Sequence, residues 1–247
     1  MNHDEFGNRM KQFEAIEARR LFLPTLPVVV RLDGKCFSFW TRGLNVPYDT
    51  RMIDIMRNVT MKLVEETNAL IGYTQSDEIT LLLYSDDITK PIYFGGRISK
   101  IISVLSSVAT YWFNHLVQQM DFPQRQRITP AYFDCRAWAV PSRTEAVNSL
   151  LWREFDATRN SIYSAARTFY SHEQLHKCKK PQLMDLLMEH GVNWNDYPSE
   201  FKRGIYIQKR LGTISQLDLP PMNIVANRVQ VVFDKHDPAL IDDLTLS

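Results

Sequence analysis

Leu26-Pro27-Val28-Val29-Val30-Arg31-Leu32-Asp33-Gly34 is a β-branched apolar run that ends on an acid and a glycine. Such runs form buried strands, and Asp-Gly suits the turn that closes one. Further along, Gln75-Ser76-Asp77-Glu78 leads into Ile79-Thr80-Leu81-Leu82-Leu83-Tyr84, a second apolar strand closed by Ser85-Asp86-Asp87. If the two strands are neighbours, Asp33 at the end of one and Asp77 at the start of the other meet at one edge, which demands antiparallel pairing. Carboxylates that close repel unless a cation lies between them. Hard divalent ions such as Mg²⁺ take oxygens from one or two carboxylates and from substrate phosphates, so the pair points to a site for two Mg²⁺ ions. Gly34, lacking a Cβ, lets the chain turn and exposes its carbonyl as a further metal ligand. Along a strand Asp77 and Glu78 point to opposite faces, and of the two Asp77 is assigned to the metal with Asp33. Singly, each acid reads more readily as a turn residue beside a strand, and it is the pair that carries chemistry.

Around these strands, residues 49–69 place Met52, Ile53, Met56, Val59, Leu63 and Val64 at helical spacing behind the N-cap candidate Asp49. Gly72 reads as a break, and residues 92–94 as a short third strand. Gly95-Gly96 opens a long helix over 97–120, with Ile98, Ile101, Leu105, Val108 and Trp112 on one apolar face, and 131–140 reads as another strand. The order strand, helix, strand, strand, helix, strand predicts an α+β fold: a split β-α-β arrangement whose antiparallel or mixed sheet carries both helices on one face. Ser142-Arg143-Thr144-Glu145 has the capping-box spacing and predicts a helix to about 170. Smaller helices are expected at 173–177 and 181–190, and returning strands at 205–210 and 224–234. Pro141-Ser142 is the one domain seam, separating a catalytic unit, 1–141, from a helix-rich C-terminal portion, 142–247, packed on it.

With 29 Lys+Arg against 28 Asp+Glu, the chain is not a protein that grips nucleic acid over its whole surface, although a local basic patch remains open to it. In the second half Arg153, Arg159, Arg167, Lys177, Lys179, Lys180, Lys202, Arg203, Lys209 and Arg210 outnumber the local acids and are the expected RNA contacts. Trp152 and Phe155 are assigned to the core. His172, His176 and His190 are assigned to surfaces and helix ends, and no histidine is nominated as catalytic. Cys36, Cys135 and Cys178 fit neither a disulfide set nor a zinc pattern. The apolar runs fall short of the roughly 20 residues of a membrane span, and Met1-Asn2-His3-Asp4-Glu5 lacks the character of a secretory signal, so a cytoplasmic address is expected.

The words Arg31-Leu32-Asp33-Gly34-Lys35-Cys36-Phe37, Tyr73-Thr74-Gln75-Ser76-Asp77-Glu78-Ile79 and Phe94-Gly95-Gly96-Arg97-Ile98-Ser99-Lys100 resemble those of the tRNA-His guanylyltransferase family and its Thg1-like relatives. Phe133-Asp134-Cys135-Arg136, Trp152-Arg153 and 198–204 extend the likeness over residues 6–210. The resemblance implies a polymerase-like palm that adds nucleotides to the 5′ end of tRNA, in the direction opposite to ordinary polymerases. It makes Asp33, Asp77 and Glu78 the catalytic acids, with Asp33, Gly34 and Asp77 on the metal and Glu78 less directly placed. It also implies a nucleotide site lined by Asp33, Gly34, Lys35, Cys36, Phe37, Ser38, Ser76 and Asp77, with Arg97 and Lys100 on the phosphates, and tRNA, GTP and ATP as partners of a homotetramer. Ser38 and Val46 stand where relatives often carry His and Lys. Residues 155–162, Phe-Asp-Ala-Thr-Arg-Asn-Ser-Ile, resemble the bacterial, archaeal and phage Thg1-like proteins, which implies repair of truncated tRNA 5′ ends. Two alternatives stay open: a palm-type nucleotide cyclase, and a non-catalytic RNA-binding protein of the same fold.

Overall fold

The computed structural model describes residues 3–234. In chain order its elements are α1 (His3–Ala18), β1 (Val28–Gly34), α2 (Phe37–Trp40), α3 (Thr50–Thr67), β2 (Ile71–Gln75), β3 (Glu78–Leu83), α4 (Ile98–Gln119), α5 (Gln124–Ile128), β4 (Phe133–Ala139), α6 (Arg143–Ala166), α7 (Lys180–Glu189), α8 (Ser199–Arg203), β5 (Ile205–Arg210), β6 (Thr213–Leu217) and α9 (Arg228–Phe233). The strands form one sheet in the order β4-β1-β3-β2-β5-β6, and each neighbouring pair is antiparallel.

Alternation along the strands sorts their side chains between two cores. Val28, Val30, Leu32, Ile79, Leu81 and Leu83 point to the face covered by α3 and α4, where Ile55, Val59, Leu63, Ile101, Leu105 and Phe113 meet them. Val29, Ile71, Tyr73 and Leu82 point the other way, onto Ala146, Val147 and Leu150 of α6 and onto Val231 and Val232 of α9. Every residue of β3 is therefore buried. The two central helices start as their sequences predict: Asp49 accepts a hydrogen bond from the Arg51 N–H, and Ser142 one from the Glu145 N–H. Asn68 ends α3 in the left-handed conformation, φ 50°, which Asn tolerates.

The α+β palm, its antiparallel sheet and the two helices on one face agree with expectation, as do the central strand β1 and the returning strand β5. β5 and β6 join the same sheet as β1–β4, so the chain beyond Ser142 completes the palm as well as covering it.

Several local expectations are corrected. Residues 92–94 form no strand but lead into a 3₁₀ turn, Tyr93–Gly96, because Phe94 and Gly95 take positive φ, 53° and 62°, which a strand cannot continue through. Residues 173–177 are turns, not a helix, and residues 224–234 hold the end of another 3₁₀ turn, Met222–Ile224, followed by α9 in place of a strand. Gly72 is no break. It lies inside β2, where a Cβ would come within 2.8 Å of the Thr60 and Val64 side chains, so the missing Cβ lets α3 lie directly on the sheet. α1 and the exposed hairpin partner β6 carry no strong apolar period, and sequence reading passes over both.

Candidate active site

β2 and β3 form a hairpin whose two-residue turn is Ser76-Asp77, with Ser76 at φ 51°. Asp77 therefore sits at a turn tip rather than at the first position of a strand, and the opposite-face argument that separated it from Glu78 does not apply. β1 runs antiparallel to β3 with Asp33 opposite Glu78, and the Gly34 N–H donates to the Asp77 carbonyl oxygen at 3.2 Å. The end of β1 is thus stitched to the hairpin tip, which brings Asp33 and Asp77 together as the sequence predicted. Burial, followed by the charge of Asp33, pushes the Asp77 carboxyl up to about 6.

Gly34 is required for a reason other than turning. A Cβ there would stand 2.2 Å from the Phe37 ring, and that ring cannot retreat, being packed against Trp40, Phe113 and Phe133 at 5.2–5.4 Å. The core under the site thereby presses the β1–α2 turn close to the acids. Phe37 is a core side chain, so a nucleotide can meet only its backbone, whereas Lys35, Cys36 and Ser38 are exposed on the same turn.

Glu78 has a different role from the other two acids. It is buried, and it accepts from Arg153 Nε at 2.6 Å and Nη2 at 2.7 Å, while Arg153 Nη1 also pairs with Asp156 at 3.0 Å. Arg153 is consequently no surface contact for RNA, a correction to the basic residues expected there. Trp152 and Phe155 are corrected in the other direction: assigned to the core, they are 52% and 54% exposed. Trp152 meets the Arg31 guanidinium of β1 at 5.4 Å yet stays half open, and helical spacing alone does not reveal which part of a helix face is covered.

A cavity of about 430 Å³, of the size that holds a small ligand, opens beside the acids. Asp33, Ser76 and Asp77 stand at one wall. The loop Asn45–Asp49 and α3 form the second, and Asn160, Ser161 and Ser164 of α6 with Phe201 of α8 the third. Tyr48 in that loop stacks on Phe201 with centroids 4.8 Å apart. Sequence reading missed these walls, because nothing in the order of residues shows that the segment before α3 meets the middle of α6. Arg97 and Lys100 do not reach the cavity. They are exposed at the start of α4, whereas it is Phe113, thirteen residues further along that helix, that packs beside Phe37; the rise of a helix makes this a separation of about 20 Å.

Two carboxylates that repel at one edge, with the Gly34 backbone stitched to the hairpin tip beside them, suit a hard divalent cation that keeps water and phosphate ligands. Among the described residues no group of three or more His, Cys, Asp or Glu is set to hold a metal, which excludes a preformed all-protein cage. An exposed cation also competes here, since Arg136 Nη2 approaches Asp33 Oδ2 at 3.3 Å and Asp134 Oδ1 at the same distance.

Because Asp77 takes up its proton at higher pH when folded than when unfolded, its contribution to stability is present at low pH and lost as the pH rises through about 6. Asp77→Asn in EDTA at pH 7.5 is therefore expected to melt about 2–4 °C above the parent, with the gain fading towards pH 4. Magnesium should raise the parent's melting temperature at pH 7.5 and leave the variant's unchanged, as read by scanning fluorimetry.

An antiparallel palm with paired acids lining a cavity of small-ligand size is the arrangement of a palm-type nucleotidyltransferase. The family model described as Thg1, tRNAHis guanylyltransferase, matches residues 7–141. The chain belongs to the tRNA-His guanylyltransferase (Thg1) family. It is 32% identical over 235 residues to an uncharacterised protein of Acanthamoeba polyphaga mimivirus, covering 85% of this chain and 78% of that one. It is 28% identical over 230 residues to the tRNA(His) guanylyltransferase of Kluyveromyces lactis, covering 85% and 92%. Among solved structures, a bacterial tRNA(His) guanylyltransferase (Thg1)-like protein in complex with ATP superposes with a TM-score of 0.84 at 32% identity, over 93% of this chain and 98% of that one. A bacterial Thg1-like protein in complex with GTP gives 0.77 at 29% identity, over 93% and 99%. Among the described residues no helix is long and apolar enough to cross a membrane.

Proposed function

We propose that this enzyme adds nucleotides to the 5′ end of tRNA in the 3′–5′ direction, and that the observation carrying this reading is the meeting of Asp33 and Asp77 at one wall of the 430 Å³ cavity. Asp33, Asp77 and the Gly34 carbonyl would hold Mg²⁺, in two ions, which supplies charge neutralisation on the triphosphate and lowers the pKa of the attacking hydroxyl. The chain's own residues do the rest by positioning. The β1–α2 turn from Lys35 to Ser38 and the hairpin tip at Ser76 bracket the phosphates, and the walls at Tyr48 and Asn160 receive the base and ribose. In the first step a phosphate oxygen of the tRNA 5′-monophosphate attacks the α-phosphorus of ATP and pyrophosphate leaves. In the second the 3′-hydroxyl of GTP attacks the activated 5′ phosphorus and AMP leaves. A 5′-triphosphate end enters directly at the second step and expels pyrophosphate.

The likeness to bacterial Thg1-like proteins, together with the Phe155–Ile162 stretch, supports repair of truncated tRNA over addition restricted to tRNA-His. A cytoplasmic site of action suits that substrate. The test is purified protein with magnesium, a tRNA lacking its first nucleotide, full-length tRNA-His and each labelled NTP in turn. Label at the RNA 5′ end supports the reading, and a cyclic product from GTP alone would replace it with the cyclase.

Arg97 and Lys100 act on phosphates here only if chains assemble, since within one chain they lie far from Asp33. In the proposed homotetramer they would serve another copy's site. Mixing equal amounts of inactive Asp33→Ala and inactive Lys100→Ala chains should then restore about a quarter of the parent activity by random assortment within closed oligomers. No recovery after verified subunit exchange would remove both residues from the phosphate site.

A further inference from the structure

The face of the sheet that carries α6 is only partly covered. Towards the end of β1 that bears Asp33, the β1–β4 half lies open: Asp134 and Arg136 are exposed, and the Asp33 side chain is 41% accessible. Trp152 stands at the border of this shelf, on α6. The Arg31 guanidinium lies 5.4 Å from its ring and the Arg153 guanidinium 4.7 Å, yet the residue remains about half exposed. Phe155, three residues on and hence on the same side of the helix, is exposed as well. Single exposed aromatics are common on this chain, but two on one side of a helix with cationic groups at the ring of Trp152 form a patch of the kind that marks an interaction site.

The position of the shelf identifies the partner. Arg31 and Asp33 point to one face of β1 about 7 Å apart, so Trp152 lies within about three stacked nucleotides of the acids. The cavity on the other side of Asp33 has room for a mononucleotide but not for a polynucleotide, whose end must approach over the open half of the sheet. Among the described residues Arg136 is held there by exposed contacts of 3.3 Å to Asp33 and Asp134, the kind of pair worth little to stability and easily exchanged for a phosphate.

We propose that Trp152, extended by Phe155, is the stacking platform for a base at the 5′ end of the polynucleotide substrate, with Arg136 taking a backbone phosphate. This rests on the RNA-extending function proposed above and adds the surface that orients the acceptor end. A base has a π-face whatever its identity, so such a platform suits an enzyme that must accept different terminal nucleotides.

The test uses full-length protein and a tRNA carrying 2-aminopurine at its first nucleotide. Wild-type protein should quench the fluorophore by stacking. Trp152→Ala should lose the quench and raise KM for the RNA about 10-fold, with KM for GTP and the magnesium-dependent thermal shift by GTP unchanged. Trp152→Phe, which keeps a ring over Arg153, should restore most of both signals and controls for damage to α6. If Trp152→Ala keeps the parent's quench and RNA KM, or alters only the association state, the platform is refuted and the surface belongs to a protein contact. Absence of any RNA extension by the wild-type protein would instead overturn the underlying function.

Discussion

Asp33→Ala and Asp77→Ala should each lower 5′-end extension by at least about 10³-fold, since several kcal/mol of charge stabilisation are lost at the reacting phosphorus. Both the activation step and the transfer step should fall, because the same acids serve both. The fold should survive. Asp33 is partly exposed and its ion pair with Arg136 is an exposed contact of 3.3 Å, worth no more than about 1 kcal/mol. Asp77 repels Asp33 in the absence of metal, so its removal costs no favourable charge pair. Single-turnover assays of each step, with melting curves beside them, check this. A variant that extends tRNA at the parent's rate removes that acid from the mechanism.

Arg153→Ala should act through stability instead, with an expected loss of about 3–5 kcal/mol. Arg153 and Glu78 are both buried and joined by two short hydrogen bonds, and truncating the cation strands a carboxylate in the sheet. Urea denaturation gives the magnitude. Activity per folded molecule should also drop, because Glu78 pairs with Asp33 across β1 and β3 and adjoins the hairpin tip that presents Asp77. Glu78→Ala should reproduce the stability loss. If Glu78→Ala were inactive yet as stable as the parent, Glu78 would belong with the catalytic acids and not with the ion pair that positions them.

The acid pair was legible because strand ends announce themselves: a β-branched run stopping at Asp33-Gly34, and a second starting just after Asp77. The helices on either side were legible from apolar period and from the caps at Asp49 and Ser142. The hairpin was hidden by Gly72, since a glycine that admits a packed helix looks, in one dimension, like a glycine that interrupts the chain. Arg153 and Trp152 show the same limit. Adjacent on α6, one is buried on Glu78 and the other half open, and only the placement of α6 against β1 and β3 tells them apart.

Local order by itself therefore determined the palm class, its central strands and helices, and which two acids converge, because propensity, alternation and capping are properties of near neighbours. Which acid is neutralised by an arginine, what fills the space beneath Gly34, which segments wall the cavity and how far Arg97 and Lys100 lie from it were decided by tertiary packing alone. Those are contacts between segments distant in the chain, whose energies depend on burial and on partners that only the folded sheet supplies.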